Sequence, residues 1–329
     1  MSPGPGHSSK QGGGRSAGPG ISGLVVVDKE AGWTSHDAVA RCRRIFGQRR
    51  VGHAGTLDPD ATGVLLVGLG RVTRLLRFLT ALPKTYTTDI VLGTATSTLD
   101  ASGDVTATYD MSAVTPEAVA AAAAALTGDI EQVPPMVSAV KVGGRRLHEL
   151  ARQGVEVERP ARLVTVSRFD TTPDPAGRPG VYRAEVVCSS GTYIRVLAQD
   201  LGVALGGGAH VANLRRTRIG SFGGPEMRPL DDIGPDQVLT PAEAMRDLES
   251  VTVSPEAGSA IRTGLPLDRV PLGAAGDGPW AMLDEAGELL ALYEATDSDR
   301  IRPAVVLATP LPASAAPADD VDPAEQSEA

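Results

Sequence analysis

Aromatic residues are scarce in this chain: two tryptophans, five tyrosines and four phenylalanines make up 3% of its 329 residues. The core must therefore be largely aliphatic, and a tyrosine inside a motif carries more information than a packing residue would. Cysteine is scarcer. Cys42 and Cys188 cannot build a disulfide framework or a cysteine zinc site, and each sits among apolar neighbours, which reads as two buried free thiols. No apolar run approaches the ~20 residues of a membrane-spanning helix. Residues 1–20 are rich in Gly, Ser and Pro and lack the charged start and apolar block of a secretion signal, so a cytoplasmic location and no membrane partner are expected. A Walker loop, a dinucleotide fingerprint and a Cys/His cluster are also missing, and no cofactor or metal is expected.

What is present is a hydrophobic fraction of 42%, enough for a real core in a chain long enough for two domains. The net charge of −9 is unevenly spread. Residues 1–230 hold 26 Lys and Arg against 20 Asp and Glu, whereas residues 231–329 hold 5 against 20. The acidity belongs to the C-terminal third. Arg41, Arg43, Arg44, Arg49 and Arg50 form one basic cluster, and Arg215, Arg216 and Arg218 form another; each is read equally well as a phosphate contact or a solvated face.

The expected organisation is a disordered tail over 1–20, a catalytic domain over 21–230 with an insertion at about 128–158, a small β-rich domain over 250–309, and an acidic, disordered tail over 310–329. Prolines 225, 229 and 235 mark the linker. A first strand over 23–29 leads to a helix capped by Ser35 whose Ala38, Val39, Cys42, Ile45 and Phe46 share one face. Alternation predicts strands over 84–94, 162–171, 181–189 and 210–219, and helices over 71–79, 116–126 and from 194 to 205.

Gly52-His53-Ala54-Gly55-Thr56-Leu57-Asp58-Pro59-Asp60-Ala61-Thr62-Gly63 lies between two apolar strands. Its glycines permit unusual backbone angles, and Pro59 biases Asp58 away from helix, so the loop can present one carboxylate in a fixed pose. On local sequence alone, a plain turn with Asp58 bonded to its own backbone is the simpler reading. Asp60 raises a glycosidase-like pair of carboxylates, although its position fits a solvated turn residue better.

Four segments in one order, spanning about residues 21–222, resemble the bacterial tRNA pseudouridine-55 synthases, enzymes that isomerise the T-arm uridine. They are GHAGTLDPDATGVL, KTYTTDIVLGTATSTLDASG, QVPPMVSAVKVGGRRLHELAR and CSSGTYIRVLAQDLG. The resemblance implies an α+β pseudouridine synthase fold: a mixed, largely antiparallel sheet flanked by helices, with an RNA-gripping insertion. It implies Asp58 as nucleophile, Tyr86 stacked on the uracil, and Arg195 paired with Asp58. Lys29, His53, Asp100 and Tyr193 are expected at the substrate, Lys29 to support the loop or contact phosphate, Asp100 to orient the arginine network rather than react, and Tyr193 to shape the pocket with a plain core role as the alternative; Lys141, Arg145, Arg146, Arg215 and Arg216 are expected on RNA. His53 is implied to help displace the uridine, with a loop-stabilising histidine as the alternative. Glu30 stands where the family usually has proline, and His148 replaces a usual tyrosine.

Pseudouridine formation breaks the bond from ribose C1′ to uracil N1, turns the base and rejoins it through C5. That needs neither redox chemistry nor an activated donor, but it does need a carboxylate, a counter-charge and a flat surface for an unstacked base. The implied partner is the tRNA T-arm, bound by a monomer without guide RNA. Two rivals remain at this point: a non-catalytic tRNA-binding or folding protein, and a guide-RNA-dependent ribosomal RNA synthase.

Overall fold

The computed structural model describes residues 20–138, 141–142, 144–146, 153, 155, 157–296 and 299–308. The expected tails, apart from Gly20, and His148 lie outside the described residues. The chain divides into two compact units between Thr240 and Pro241.

The first unit is built on a nine-stranded sheet. Its strands in chain order begin with β1 (Gly23–Lys29), β2 (Val51–Ala54), β3 (Thr62–Leu69) and β4 (Lys84–Leu92). A small hairpin follows, β5 (Thr94–Thr96) with β6 (Val105–Thr108), then β7 (Gly128–Gln132). The pair β8 (Lys141–Val142) and β9 (Arg145–Arg146) stands apart, and β10 (Arg162–Pro173), β11 (Val181–Cys188), β12 (Ala209–Ile219) and β13 (Phe222–Gly223) complete the set. The sheet order is β1-β3-β12-β4-β11-β10-β7, with β2 on β3 and β13 on β12. Its strand pairs are antiparallel except the short parallel contact of β12 with β3, so the sheet is mixed and largely antiparallel.

The continuous apolar runs of β1 and β3 mark strands covered on both faces. Val25, Val27, Leu65, Val67 and Leu69 pack with Ala38, Val39 and Cys42 of the helix Ser35–Ile45. At the other end, Val119 and Ala123 of helix Pro116–Ala125 and Leu197, Ala198 and Leu201 of helix Ile194–Ala204 share a core with β4, β11 and β12. Both cysteines are buried and free, and burial pushes each thiol up to about 11.

Two local expectations need correction. Thr34, not Ser35, caps the first helix: its hydroxyl accepts from Asp37 N at 3.1 Å, and Asp37 Oδ2 accepts from Thr34 N at 3.0 Å. The single helix expected over 71–79 is a 3₁₀ turn, Gly70–Arg74, followed by a short helix, Leu76–Ala81. Strand β2, too short to show alternation, went unread.

Gly63 shows why the loop before β3 needs glycine. Its φ is 102°, and a Cβ there would lie 2.1 Å from Arg216 O. Gly63→Ala is expected to lower stability by about 3 kcal/mol or more, read by urea denaturation. A change below about 1 kcal/mol would mean that the β3–β12 contact yields easily.

The second unit carries a five-stranded sheet in the order β14-β16-β17-β18-β15, made of β14 (Glu249–Thr252), β15 (Leu267–Asp268), β16 (Trp280–Leu283), β17 (Leu289–Ala295) and β18 (Arg300–Val306). Trp280, Met282, Tyr293 and Ile301 fill its core together with Ile261 of helix Pro255–Arg262. No helix among the described residues is long and apolar enough to cross a membrane.

Candidate active site

The Asp58 loop joins β2 to β3 and is held from three sides. Ser35, 1% exposed, receives Leu57 N at 2.9 Å on its hydroxyl and donates back to Leu57 O at 3.2 Å. Lys29 is fully buried and donates to Pro59 O at 2.9 Å, Trp33 O at 2.7 Å and Glu30 O at 2.9 Å. Arg216, 1% exposed, donates from Nη2 to Gly55 O at 2.9 Å, from Nη1 to Thr56 O at 3.3 Å and from Nε to Val64 O at 2.8 Å. Three buried side chains thus satisfy backbone groups that an irregular loop would leave unpaired.

This bracing gives Lys29 the first of its two expected roles, support of the loop, and gives Arg216 a bracing role that the sequence did not suggest. Lys29 spends all three N–H donors on backbone carbonyls, and Arg216 spends its donors on the loop while also bordering the cavity that holds Asp58 and Tyr86. Burial brings the Lys29 pKa down to about 8, with Asp58 and Asp60 opposing the fall.

From helix Ile194–Ala204, Arg195 reaches Asp58: Nη2 lies 3.1 Å from Oδ2. The same guanidinium donates to Val137 O at 2.8 Å and to Thr98 O at 2.8 Å, and stands 3.4 Å from Asp100 Oδ2. Arg195 is 4% exposed, so a planar fork with four partners is fixed in place. Asp100 is fixed too, its Oδ1 accepting from Thr98 Oγ1 and Ser102 Oγ, each at 2.6 Å. The Asp58 carboxylate keeps 44% side-chain exposure and faces the cleft. The protein around it still raises its pKa: burial acts most strongly, Arg195 opposes, and Asp100 adds to the rise. Arg195 offsets part of the desolvation of Asp58 without outweighing it.

Two cavities meet at this ion pair. One, of about 250 Å³, is bounded by Asp58, Tyr86, Tyr193, Arg195 and Lys84. The other, of about 470 Å³, shares Asp58 and Arg195 and adds Asp60, Asp100 and Asn213. Tyr86 projects from β4 between Val186 of β11 and Arg216 of β12, and burial raises its phenol pKa against the pull of the neighbouring Arg216. Tyr193 is placed by Gln132, whose side-chain amide accepts from Tyr193 N at 2.9 Å and donates to Tyr193 O at 3.3 Å. Lys84 is 5% exposed and donates to Leu82 O at 2.6 Å and to Thr80 O; burial lowers its pKa to about 8. Lys84 and Gln132 were not singled out from sequence, and Ser35 was read only as a helix cap. Lys84 and Gln132 lie within the quoted segments, but their partners do not lie beside them in the chain.

The remaining predicted residues are spread more widely. Arg215 holds Asp28 through two bonds, Nη2 to Oδ2 at 2.8 Å and Nη1 to Oδ1 at 3.0 Å, and is 39% exposed. Lys141, Arg145 and Arg146 belong to the β8–β9 pair, and their side chains lie outside the described residues. Asp60 is exposed on the turn in which Ala61 N donates to Asp58 O. His53 lies on β2, not among the residues bounding either cavity, with its ring edge-on to His36 at 5.6 Å.

His53 Nδ1 is buried with no hydrogen-bond partner among the described residues. Burial, with smaller help from His36 and Arg216, lowers its pKa to about 4. The unfolded state therefore binds the proton first, and His53 favours the fold above pH 6.5 but loses that contribution as pH falls toward 4. Urea denaturation at pH 7 and pH 4.5 should show wild type losing about 2 kcal/mol more than His53→Gln. Equal losses would place His53 in a wetter setting.

The chain matches the model of the TruB family pseudouridylate synthase N-terminal domain over residues 43–194 and that of the tRNA pseudouridylate synthase B C-terminal domain over 195–251. The junction falls at the start of helix Ile194–Ala204, whereas the compact first unit runs on to Thr240. The chain is 48% identical over 286 residues to a tRNA pseudouridine synthase B of Mycobacterium sp. (strain KMS), covering 84% of this chain and 94% of that one. To its namesake in Rhodococcus jostii (strain RHA1) it is 47% identical over 278 residues, covering 83% and 90%. A chain of a Cbf5-Nop10-Gar1 complex matches the fold with a TM-score of 0.67 at 26% identity, covering 88% of this chain and 85% of that one. Sequence and fold agree, and the chain belongs to the TruB family of pseudouridylate synthases.

Proposed function

We propose that this protein isomerises uridine-55 of the tRNA T-arm to pseudouridine, with Asp58 as nucleophile. The observation that carries the reading is the 3.1 Å pair of Asp58 with a buried Arg195 at the mouth of a cavity bounded by Tyr86 and Tyr193. A carboxylate so held starts the reaction in one of two ways: by adding covalently to the substrate, or by assisting loss of the base and taking a sugar proton. In either case the uracil leaves C1′ through N1, turns and returns through C5, whose proton goes to solvent.

A cavity of about 250 Å³ admits a flipped nucleotide and not a helix, so the uridine must leave its stack before reaching Asp58. Tyr86 gives the base a new stacking face and Tyr193 closes the pocket. With a pKa lowered to about 4, His53 is uncharged at neutral pH and displaces the base by occupying its space rather than by attracting phosphate. Asp100 orients Arg195. Arg215 and the insertion residues Lys141, Arg145 and Arg146 meet the RNA backbone, so affinity falls with added salt.

The substrate is bound by a monomer in the cytoplasm without a guide RNA, and the isomerisation calls for no cofactor. Relatives named tRNA pseudouridine synthase B favour tRNA over a guide-directed substrate. Incubating the purified protein alone with a T-arm stem-loop carrying tritium at uridine C5 tests this. Release from position 55 is expected. Release only after adding a guide RNA or protein partners would overturn it.

A further inference from the structure

Strand β12 breaks its register as it passes the cleft. Its pairing with β4 skips between Ala212 and Arg215, and Asn213 takes a left-handed backbone with φ 52°. Such a conformation costs a residue with a Cβ roughly 1 kcal/mol, and asparagine bears it best. The irregularity places Leu214 in the wall of the Tyr86 cavity, of the Asp100 cavity and of a third space of about 320 Å³ bounded by Asp60, Asp89 and Arg183.

Behind Leu214 the irregularity is locked by a charged group in the middle of the sheet. Asn213 Nδ2 donates to Asp89 Oδ2 at 2.9 Å. Asp89, on β4, is 1% exposed; the same oxygen accepts from Arg178 Nη2 at 2.8 Å, and Oδ1 lies 3.3 Å from Arg183 Nε. Arg178 is itself gripped by Asp174, from Nε to Oδ2 at 2.7 Å and from Nη2 to Oδ1 at 3.1 Å. Thr88 Oγ1 donates to Ala212 O at 2.8 Å on the other side of the skipped register. A sheet optimised for stability alone would carry an apolar residue at position 89 and a regular pair at 213, because a buried ion cluster seldom improves on well-packed hydrocarbon.

We propose that Asp89 and Asn213 are positioning residues that fix the β12 bulge and thereby hold Leu214 against the nucleoside at Asp58. The proposal rests on the uridine reading above. Between cleavage and rejoining the uracil is detached and must turn within a bounded space, so a fixed aliphatic wall confines it to the orientation that presents C5 to C1′. A wall displaced by a fraction of an ångström lowers the rate of the chemical step without removing any contact to the RNA backbone.

The test is single-turnover tritium release from the T-arm stem-loop, with RNA affinity and Tm measured on the same samples. Asn213→Gly keeps the left-handed backbone and removes only the amide; its rate should fall about tenfold or more while Kd for RNA stays within about twofold. Leu214→Ala should lose a similar factor, and the double variant should be no more than about twofold slower than Leu214→Ala, since both changes act through one side chain. Should Asn213→Gly fail to fold, Arg178→Gln, changed at a half-exposed side chain, loosens Asp89 from outside and should slow release about threefold or more without weakening RNA binding. Release at the wild-type rate by the variants, or losses that multiply in the double variant, would overturn the positioning role. No release by wild type would overturn the uridine reading and this role with it.

Discussion

Asp58→Asn is expected to reduce tritium release from the T-arm by about ten-thousandfold or more, to the background of the assay. The amide is isosteric with the carboxylate but has no negative charge and cannot act as nucleophile or base. The loop itself should persist, because Ser35, Lys29 and Arg216 hold it through the backbone of residues 55–59 and Val64, not through the Asp58 side chain. RNA affinity should therefore stay within about threefold of wild type, and the fold should persist with a modest fall in Tm, since Arg195 loses one carboxylate but keeps Asp100, Thr98 O and Val137 O. Filter binding and thermal denaturation beside the release assay separate a lost nucleophile from a lost fold. Substantial release by the variant would remove Asp58 from the chemistry.

Arg195→Met carries the second-largest effect and acts on both stability and rate. It leaves Asp58 and Asp100 without the cation between them and deprives Val137 O and Thr98 O of their donors. Loss of one partner from a buried ion network costs about 3–5 kcal/mol, and loss of the fixed carboxylate direction should lower the rate about a thousandfold. The pH profile gives a sharper reading. Arg195 is the main influence pulling the Asp58 pKa down, while burial and Asp100 push it up, so removing Arg195 leaves only Lys29 in opposition. In the proposed role Asp58 reacts as the carboxylate, so the acidic limb of any residual activity should shift to higher pH. Arg195→Lys keeps the charge but not the fork and should fall between the two, with a smaller shift. An unmoved acidic limb in Arg195→Met would separate this arginine from the ionisation of Asp58.

The strands around the site were legible in the sequence because their patterns are local. The apolar runs of β1 and β3 and the alternation of β10 and β11 are properties of consecutive residues, and the structure reproduces them with small changes at the ends. The loop at 52–63 was legible as a presentation device for the same reason. Which partners hold it was not. Arg216 looked like one of three basic residues available to phosphate, because nothing in Leu-Arg-Arg-Thr-Arg shows that alternate side chains face opposite sides of a strand bordering the loop. The structure turns Arg216 inward to Gly55, Thr56 and Val64, and leaves Arg215, its neighbour, half exposed on Asp28. Ser35 was misread by one position: a Thr-Ser pair before a helix offers two candidate caps, and only the three-dimensional approach of Leu57 assigns one hydroxyl to the cap and the other to the loop.

Asp89 and Asn213 gave no sequence signal. A carboxylate in a strand that also carries Lys84, Thr85, Thr87 and Thr88 reads as an edge or a solvent face, and its burial becomes credible only once Arg178, Arg183 and Asn213 arrive from other strands and turns. The Asp58–Arg195 contact is a partial exception. It joins residues far apart in the chain, yet the resemblance of the fourth segment implied it, and the pair stands 3.1 Å apart.

The most direct measurement is nucleoside analysis of a minimal T-arm stem-loop after incubation with the purified wild-type protein, or with Asp58→Asn, and no added cofactor or RNA. The predicted result is conversion of one uridine, at position 55, to pseudouridine by wild type and none by the variant. Unchanged uridine with wild type, or equal conversion by Asp58→Asn, would contradict Asp58 as the nucleophile of a guide-independent T-arm synthase.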